Sequence, residues 1–325
     1  MAHQYDPELA ETISSMKAST PSTGLHDIAG RRENGVGLTS YLEQSVSRLP
    51  GVEKRFFKGK SVDGYEVNLV WYSPLRSTPR PSSAVLFIHG GGLIMHDVAT
   101  FDVNINNYVA ASGVPILAVD YRLAPEHKYP VPSEDCYTGL TWLRDNADEL
   151  LVDPNRIGIM GESAGGGLAA SIALLARDRQ FKPPIAKQIL VYPMLDDRTT
   201  VADESLLPFA TWTYEDNMTG WAAYVGKDMV GTDEVTKYSA AAREVDLVGL
   251  PPAYIDVGTL DIFSAEDLRY ADMLSKAGVD VETQVYSGAP HGFEIFVPNA
   301  KVSKQAIANR VKAIRSLLKC ENSIS

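Results

Sequence analysis

The sequence predicts an α/β fold in which helices cover both faces of a mostly parallel sheet. Short apolar runs that do not alternate with polar residues are typical of strands buried on both faces. Such runs occupy residues 84–88, 115–119, 156–160, 188–192, 253–257 and 281–286. Segments with helical spacing lie at residues 133–147, 164–177, 265–277 and 303–318. Because strand and helix take turns along the chain, we expect parallel pairing through crossover helices.

Two regions fall outside this alternation. Sheet character begins at residues 65–72, where apolar and other residues alternate, and a Pro-rich surface segment follows at 73–81. The first sixty residues precede that sheet. The second region, residues 197–235, is either a pair of helices packed on the main body or a cap over an active site, since long excursions in compact domains are often functional. It is rich in bulky apolar side chains, namely Leu206, Leu207, Phe209, Trp212, Trp221 and Tyr224.

The composition excludes several classes of protein. The chain has 325 residues, 45% of them hydrophobic and 22% charged, which is a globular balance rather than a disordered or fibrous one. A formal net charge of -11 without a Lys/Arg cluster disfavours binding to nucleic acid or an anionic membrane, and also an anionic substrate. Cys136 and Cys320 form no disulfide framework. No apolar run suits a signal peptide or a membrane span, so we expect a cytoplasmic protein.

The segment Gly161-Glu162-Ser163-Ala164-Gly165 fits the pattern G-x-S-x-G. It follows an apolar run directly and precedes a helical stretch, which is the context of a nucleophile elbow. The strand must reverse sharply into the helix there, so we expect strained backbone at Ser163 and a hydroxyl exposed at the carboxyl edge of the sheet. A Cβ at either flanking glycine would collide across the tight turn. The alternative is a Gly-rich structural turn.

A second glycine-rich motif, His89-Gly90-Gly91-Gly92, follows the predicted strand at residues 84–88. Consecutive glycines allow backbone N–H groups to approach a ligand and to hydrogen-bond a carbonyl oxygen as it gains negative charge. Loops of this type accompany the serine elbow in lipases and esterases. A phosphate-binding loop is disfavoured, because neither common phosphate-binding glycine pattern is present.

The remaining partners of a serine nucleophile should follow it in the order acid, then histidine. The only histidine after Ser163 is His291, in a loop after the predicted strand at residues 281–286. Asp261 follows the predicted strand at 253–257 and is the best acid. Asp256 lies inside that strand pattern, whereas Glu266 and the adjacent Asp267 fit the first turn of a helix, where carboxylates suit the helix dipole.

These motifs together resemble the hormone-sensitive-lipase-like branch of the α/β-hydrolase superfamily, which includes many microbial and fungal carboxylesterases. The resemblance implies an α/β-hydrolase fold, a mostly parallel central sheet with a helical cap, and Ser163, Asp261 and His291 as the catalytic triad. The segments that carry it run in family order from residue 84 to residue 293 and comprise His89-Gly90-Gly91-Gly92, Asp120-Tyr121-Arg122-Leu123-Ala124-Pro125-Glu126, Pro132-Ser133-Glu134-Asp135, Gly161-Glu162-Ser163-Ala164-Gly165-Gly166, the Asp261 segment and His291-Gly292-Phe293.

The resemblance has further implications for the site and its surroundings. It implies an oxyanion hole formed by the backbone N–H groups of Gly91, Gly92 and Ala164. It also implies one hydrolase domain over residues 1–325, with cap segments at about 1–60 and about 197–235 that bear on substrate choice. The position after the glycines is Leu93, where family members often carry an aromatic residue, and this departure concerns the shape of the pocket.

We therefore expect a serine carboxylic-ester hydrolase that needs no metal or organic cofactor and acts through an acyl-enzyme. Its substrates would be small, uncharged esters with short or medium acyl chains. One alternative keeps the triad in an acyltransferase or a lactone hydrolase of a biosynthetic pathway. Another is a non-catalytic small-ligand receptor, since the branch also contains plant hormone receptors, but those have the catalytic histidine replaced. The oligomeric state is open, with a homodimer among the options.

Overall fold

One mixed sheet organises the molecule in the computed structural model, which describes residues 3–75 and 82–318. Within these residues it has eight strands: β1 (Val52–Lys60), β2 (Glu66–Pro74), β3 (Ser82–Ile88), β4 (Ile116–Asp120), β5 (Val152–Glu162), β6 (Lys187–Val191), β7 (Ala253–Gly258) and β8 (Val281–Tyr286). They lie in the order β1-β2-β4-β3-β5-β6-β7-β8. β2 pairs antiparallel with β1 and β4, whereas the other neighbouring strands are parallel.

Helices connect the strands and cover the sheet. In the described part of the chain they are α1 (Ala10–Ser19), α2 (Ile28–Gly35), α3 (Leu38–Ser45), α4 (Asp102–Ser112), α5 (Val131–Asp145), α6 (Ala164–Asp178), α7 (Tyr214–Val225), α8 (Ser264–Lys276), α9 (Phe293–Phe296) and α10 (Lys301–Arg315), with a short 3₁₀ helix at Ala241–Arg243. None of the helices in the described ranges has the length and apolar character needed to cross a membrane.

Successive residues of the central strands supply two hydrophobic cores on opposite faces of the sheet. In β3, Leu86 belongs to the core shared with α5, α6 and α8, whereas Val85 and Phe87 belong to the core shared with α4 and α10. Both cores are closed to solvent along β3, β6 and β7. This two-sided burial explains why these strands are apolar without alternation, as their sequence predicts.

The sheet begins earlier in the chain than its sequence suggests. The prediction that the first sixty residues all precede the sheet is wrong, because residues 52–60 form β1. This strand lies at the edge of the sheet and pairs with β2 along its whole length. β1 is largely exposed, and its sequence lacks the apolar run of a buried strand because it carries Lys54, Arg55, Lys58 and Lys60. Charged side chains of this kind protect edge strands from pairing with other chains, and they also hide the strand from hydropathy patterns.

The region 197–235 contains one α-helix rather than a pair, and turns make up most of the rest. That helix, α7, starts at a capping box in which Thr213 and Asp216 satisfy each other's backbone N–H groups. The amino-terminal segment supplies α1, α2 and α3. The predicted Pro-rich segment lies outside the described residues from position 76 onward, as does Cys320, whereas Cys136 is fully buried in α5.

Candidate active site

A sharp turn from β5 into α6 carries the predicted nucleophile. Ser163 has φ 57° and ψ −120°, which is a strained combination for a residue with a side chain. A Cβ on Gly161 would lie 2.0 Å from the Gly165 carbonyl oxygen across this turn. At Gly165 the obstacle is a different element, because its Cβ would lie 2.1 Å from the carbonyl oxygen of Ile88 at the end of β3. The first glycine therefore permits the turn, and the second permits close packing of α6 on β3.

The structure brings the three predicted polar side chains together. His291, in the loop after β8, places Nε2 2.8 Å from Ser163 Oγ and Nδ1 2.7 Å from Asp261 Oδ2. Because an ionised carboxylate only accepts, Nδ1–H donates to Asp261, and Nε2 is then free to accept from the serine hydroxyl. Asp261 Oδ1 also accepts from the backbone N–H of Phe263 at 3.0 Å. All three side chains are largely buried.

The other carboxylates considered for the acid lie elsewhere. Asp256 is fully buried within β7 and is paired with Arg310. Glu266 and Asp267 do lie in the first turn of α8, but they face the protein interior rather than solvent. Asp261 is thus the carboxylate that reaches His291. Among the described residues, no group of three or more His, Cys, Asp or Glu side chains is arranged to hold a metal ion.

The glycine loop after β3 lies directly against the serine turn. A Cβ on Gly90 would be 3.3 Å from Ser163 Cβ. Gly91 and Gly92 have φ 118° and 60°, which favour glycine. Within the described part of the chain, the N–H groups of Gly91, Gly92 and Ala164 donate to no protein group, so all three predicted donors are unengaged.

The side chains of His89 and Tyr121 pack against each other and hold this loop. His89 is fully buried, and its ring stacks on Tyr121 with the centroids 4.3 Å apart. The Tyr121 hydroxyl donates to the His89 carbonyl oxygen at 3.0 Å, and the Ala124 N–H donates to the Leu93 carbonyl oxygen at 3.0 Å. Burial lowers the pKa of His89, so its imidazole is neutral. The segment from Asp120 to Glu126 thus holds the glycine loop in place.

Sequence reasoning did not foresee how residues 197–235 meet this loop. A Cβ on Gly92 would lie 2.3 Å from the Trp212 ring, and one on Gly220 of α7 would lie 2.5 Å from the Gly92 carbonyl oxygen. The Trp212 ring centroid is 6.5 Å from that of His291, and Thr211 Oγ1 donates to the His291 carbonyl oxygen at 2.5 Å. Trp212 stood out in the sequence only as one of several bulky apolar residues.

Comparison with known proteins places these features in a family. Residues 85–295 match a family model described as alpha/beta hydrolase fold. The carboxylesterase NlhH of Mycobacterium tuberculosis is 34% identical over 242 residues, which cover 72% of this chain and 73% of that protein. The esterase LipI of the same organism is 31% identical over 254 residues, covering 77% of each chain. Among solved structures, a bacterial heroin esterase has a TM-score of 0.88 and 33% identity, covering 98% of this chain and 99% of that one.

The matched region contains both glycine motifs together with Asp261 and His291. The fold and its eight-stranded order, as described above, define an α/β hydrolase. The chain belongs to the hormone-sensitive-lipase-like family of α/β hydrolases and is a carboxylesterase-type enzyme.

Proposed function

We propose that this enzyme is a serine hydrolase that cleaves carboxylic esters through an acyl-enzyme formed on Ser163. The observation that carries the proposal is the continuous hydrogen-bonded chain from Ser163 Oγ through His291 to Asp261, with distances of 2.8 and 2.7 Å. The 2.8 Å distance from Ser163 Oγ to His291 Nε2 lies within the range needed for proton transfer from a nucleophile to its base. The 2.7 Å distance from Nδ1 to Asp261 is that of a hydrogen bond that orients the base. The unengaged N–H groups beside Ser163 support the same assignment, because they leave donors for a developing oxyanion.

In the first half of the proposed reaction, His291 Nε2 takes the hydroxyl proton as Ser163 Oγ attacks the ester carbonyl carbon. Asp261 holds the ring in the required tautomer and stabilises the imidazolium. The N–H groups of Gly91, Gly92 and Ala164 would bind the oxyanion, and losing one such donor costs about 3 kcal/mol of transition-state stabilisation. The imidazolium then protonates the leaving alcohol, which departs and leaves an acyl-enzyme.

In the second half, water attacks the acyl carbonyl while His291 accepts one of its protons. The proton then returns to Ser163 Oγ as the acid product leaves, so that the enzyme is restored. Because Nε2 must be unprotonated to act as a base, protonation of His291 should stop the reaction, and we expect the rate to fall on acidification. A rate that does not fall on acidification at all would contradict the role of His291.

We further propose that residues 197–235 and the helices of the amino-terminal segment form a cap that selects substrates. Support comes from the contacts of Trp212 and Gly220 with Gly92, and of Thr211 with His291. The Trp212 ring lies beside both Gly92 and His291, and an aromatic surface there suits small, uncharged esters with short or medium acyl chains. The net charge of -11 works in the same direction, since it disfavours anionic substrates.

The decisive experiment is an ester panel that varies acyl length and alcohol size, measured with the wild-type chain and with Ser163→Ala. We expect hydrolysis of short and medium chromogenic esters by the wild type and a loss of at least about a thousandfold in the variant, because a nucleophile is removed. Retained activity in the variant would overturn the assignment of Ser163.

Three companion measurements separate the alternatives that share this site. A fluorophosphonate should label the wild type at Ser163 and leave Ser163→Ala unlabelled, whereas a protein that only binds its ligand should not react. Product analysis in the presence of a competing alcohol distinguishes hydrolysis from acyl transfer, because a transferase would form the new ester in preference to the free acid. A lactone offered in the same panel tests ring opening.

A further inference from the structure

A buried chain of polar side chains lies behind His291 and has no part in the steps above. Tyr192 follows β6, and its ring centroid is 4.6 Å from that of His291. The Tyr192 hydroxyl donates to Glu294 Oε1 at 2.5 Å, and Arg310 Nη1 donates to the same oxygen at 2.5 Å. On its other side Arg310 Nε donates to Asp256 Oδ2 at 2.8 Å. None of these side chains is more than 9% exposed.

The backbone around Tyr192 also holds the serine turn. The Ser163 N–H donates to the Val191 carbonyl oxygen at 2.9 Å, and the Met194 N–H donates to the Ser163 carbonyl oxygen at 3.0 Å. Tyr192 itself has φ 33°, a conformation that a residue with a side chain rarely adopts. One short segment therefore fixes the main chain of Ser163 while its only aromatic ring packs against the imidazole of His291.

Stability alone is a weak reason for this arrangement. Arg310 is fully buried between Asp256 and Glu294, and buried ion pairs are often no more stabilising than well-packed apolar side chains of similar volume. A bidentate pair adds geometric specificity, and Arg310 binds both carboxylate oxygens of Asp256 through Nε and Nη2. Glu294 connects Arg310 to the site, because it lies three residues after His291 in the chain and accepts a hydrogen bond from the Tyr192 hydroxyl. The Arg310 guanidinium carbon lies 5.2 Å from the Tyr192 ring centroid, on the ring's face.

We propose that Tyr192, Glu294 and Arg310 are positioning residues that hold the His291 imidazole in line with Ser163. Helix α10 thereby contributes to the placement of His291 through the bond from Arg310 to Glu294. The inference rests on the proposed function, since it assigns a role in the same hydrolytic reaction. Misplacement of a catalytic group by about 1 Å can cost about a hundredfold in rate, so a modest shift of the imidazole is sufficient to be measured.

The test compares three variants with the wild type on one short-chain ester. Tyr192→Phe keeps the ring but releases Glu294, Tyr192→Leu removes the ring, and Glu294→Gln weakens the bond to Arg310. We expect kcat to fall about tenfold in Tyr192→Phe and about a hundredfold in Tyr192→Leu, with KM changed less than about twofold, because orientation rather than binding is lost. Glu294→Gln should resemble Tyr192→Phe.

Tyr72→Phe is the matched control. Tyr72 is equally buried, and its hydroxyl donates to a carboxylate, that of Asp102, at 2.7 Å. It lies on β2, however, which is separated from β5 and β6 by other strands of the sheet. We expect this variant to lose comparable stability and to keep its kcat. An equal loss of kcat in Tyr72→Phe and Tyr192→Phe would overturn the positioning role, because general loosening would then explain both.

Two readouts report on the imidazole itself. The low-field proton resonance of the hydrogen bond from His291 Nδ1 to Asp261 should shift or broaden in Tyr192→Phe and Glu294→Gln, and stay unchanged in Tyr72→Phe. The rate of fluorophosphonate labelling of Ser163 should fall in proportion to kcat. Variants of Tyr192 and Glu294 that fold and keep kcat within twofold would overturn the proposal.

Failure of this inference is separable from failure of the proposed function. If wild type hydrolyses esters, Ser163→Ala does not, and the Tyr192 variants keep full kcat, only the positioning role is lost. If Ser163→Ala retains wild-type activity, the proposed function itself is lost. Should Tyr192→Leu fail to fold, Tyr192→Phe and Glu294→Gln decide the matter, because each preserves side-chain volume.

Discussion

At the scale of single residues, the site depends on glycines as much as on the polar side chains of Ser163, Asp261 and His291. Gly161, Gly165 and Gly92 each lie where a Cβ would come within 2.3 Å of another atom. At Gly165 that atom belongs to the backbone of β3, which cannot turn aside as a flexible side chain could. The spacing between the serine turn and the glycine loop is therefore set by direct contact between two main chains.

Gly165→Ala tests this contact. Alanine favours an α-helix over glycine by about 1 kcal/mol, but a Cβ 2.1 Å from the Ile88 carbonyl oxygen must push α6 away from β3. Overpacking of this kind costs about 1 to 3 kcal/mol, so we expect net destabilisation and a fall in kcat. Urea unfolding and esterase kinetics measure the two effects.

Gly24→Ala serves as the control for that substitution, because nothing lies within 4 Å of a Cβ at Gly24. It should leave both the free energy of unfolding and kcat close to those of the wild type. If Gly165→Ala is as stable and active as Gly24→Ala, direct contact does not set the spacing of the two motifs.

At the scale of secondary-structure elements, the amino-terminal helices are tied to α7. Arg31 of α2 is 4% exposed, and its Nε donates to Asp216 Oδ1 at 2.7 Å. The same Asp216 forms the capping box of α7 through its other oxygen. The backbone N–H of His26 also donates to Thr219 Oγ1 at 3.0 Å. These contacts join the two proposed cap segments, which are distant in sequence.

We expect Arg31→Ala to raise KM several-fold while kcat changes less, since α7 would lose its tie to α2 and the cap would close less well on the substrate. Removal of one partner from a largely buried ion pair also destabilises the fold by about 3 kcal/mol. Because the cap would be less well closed, Arg31→Ala should accept a broader range of acyl lengths in the ester panel. The panel is measured well below the unfolding temperature, so that the lower stability of the variant does not affect the rates.

Lys276→Ala provides a comparison for the loss of a salt bridge as such. Lys276 pairs with Asp272 at 2.6 Å on α8, but both side chains are exposed. An exposed pair of this kind contributes roughly 0.3 to 0.5 kcal/mol, so we expect an unchanged acyl-length preference. A preference in Arg31→Ala identical to that of the wild type would argue against a selective cap.

At the scale of the whole molecule, the described interior holds carboxyl groups that favour their neutral form. Burial raises the pKa of Glu266 to about 8 and that of Glu162 to about 7. Glu266 accepts hydrogen bonds from the N–H groups of Leu195 and Asp196, at 2.7 and 3.1 Å, and these lower its pKa. Desolvation is the larger influence, so the pKa stays above its usual value.

The raised pKa of Glu266 makes stability depend on pH in a defined direction. Between about pH 4.5 and pH 8 the folded chain keeps a proton on Glu266 that the unfolded chain has released, so stability declines as the pH rises through this window. Each unit by which a pKa is raised corresponds to roughly 1.4 kcal/mol. Glu266→Gln mimics the protonated side chain and can keep the same hydrogen bonds.

We expect Glu266→Gln to match the wild type in free energy of unfolding at pH 5 and to exceed it at pH 8. Denaturant unfolding at both pH values measures the difference. Glu149→Gln, at an exposed position in the turns after α5, is the control and should leave the pH dependence unchanged. Parallel curves for wild type and Glu266→Gln would contradict a neutral Glu266 in the folded chain.

Local patterns were sufficient to predict much of the fold and the proposed site. The buried strands β3 to β7 contain apolar runs, and the two glycine motifs stand at the ends of β3 and β5. Asp261 lies three residues after β7, and His291 lies five residues after β8. Carboxyl ends of parallel strands meet at one edge, so their order along the chain already indicates that these residues meet. The expectation that residues 281–286 are buried on both faces is wrong, because β8 is an edge strand and only partly buried. β1 and α4 were not predicted, because β1 is a charged edge strand and α4 is rich in Asn and β-branched residues.

By itself, then, the sequence determined the fold class and the candidate residues of the site, because these depend on spacing within single elements. Only the tertiary structure decided that Trp212 packs on Gly92, that Arg31 joins α2 to α7, and that Tyr192 lies between the serine turn and Arg310. Such contacts join residues far apart in the chain and follow no local period. They depend on how whole helices and strands pack, and that packing is set by the hydrophobic cores on the two faces of the sheet.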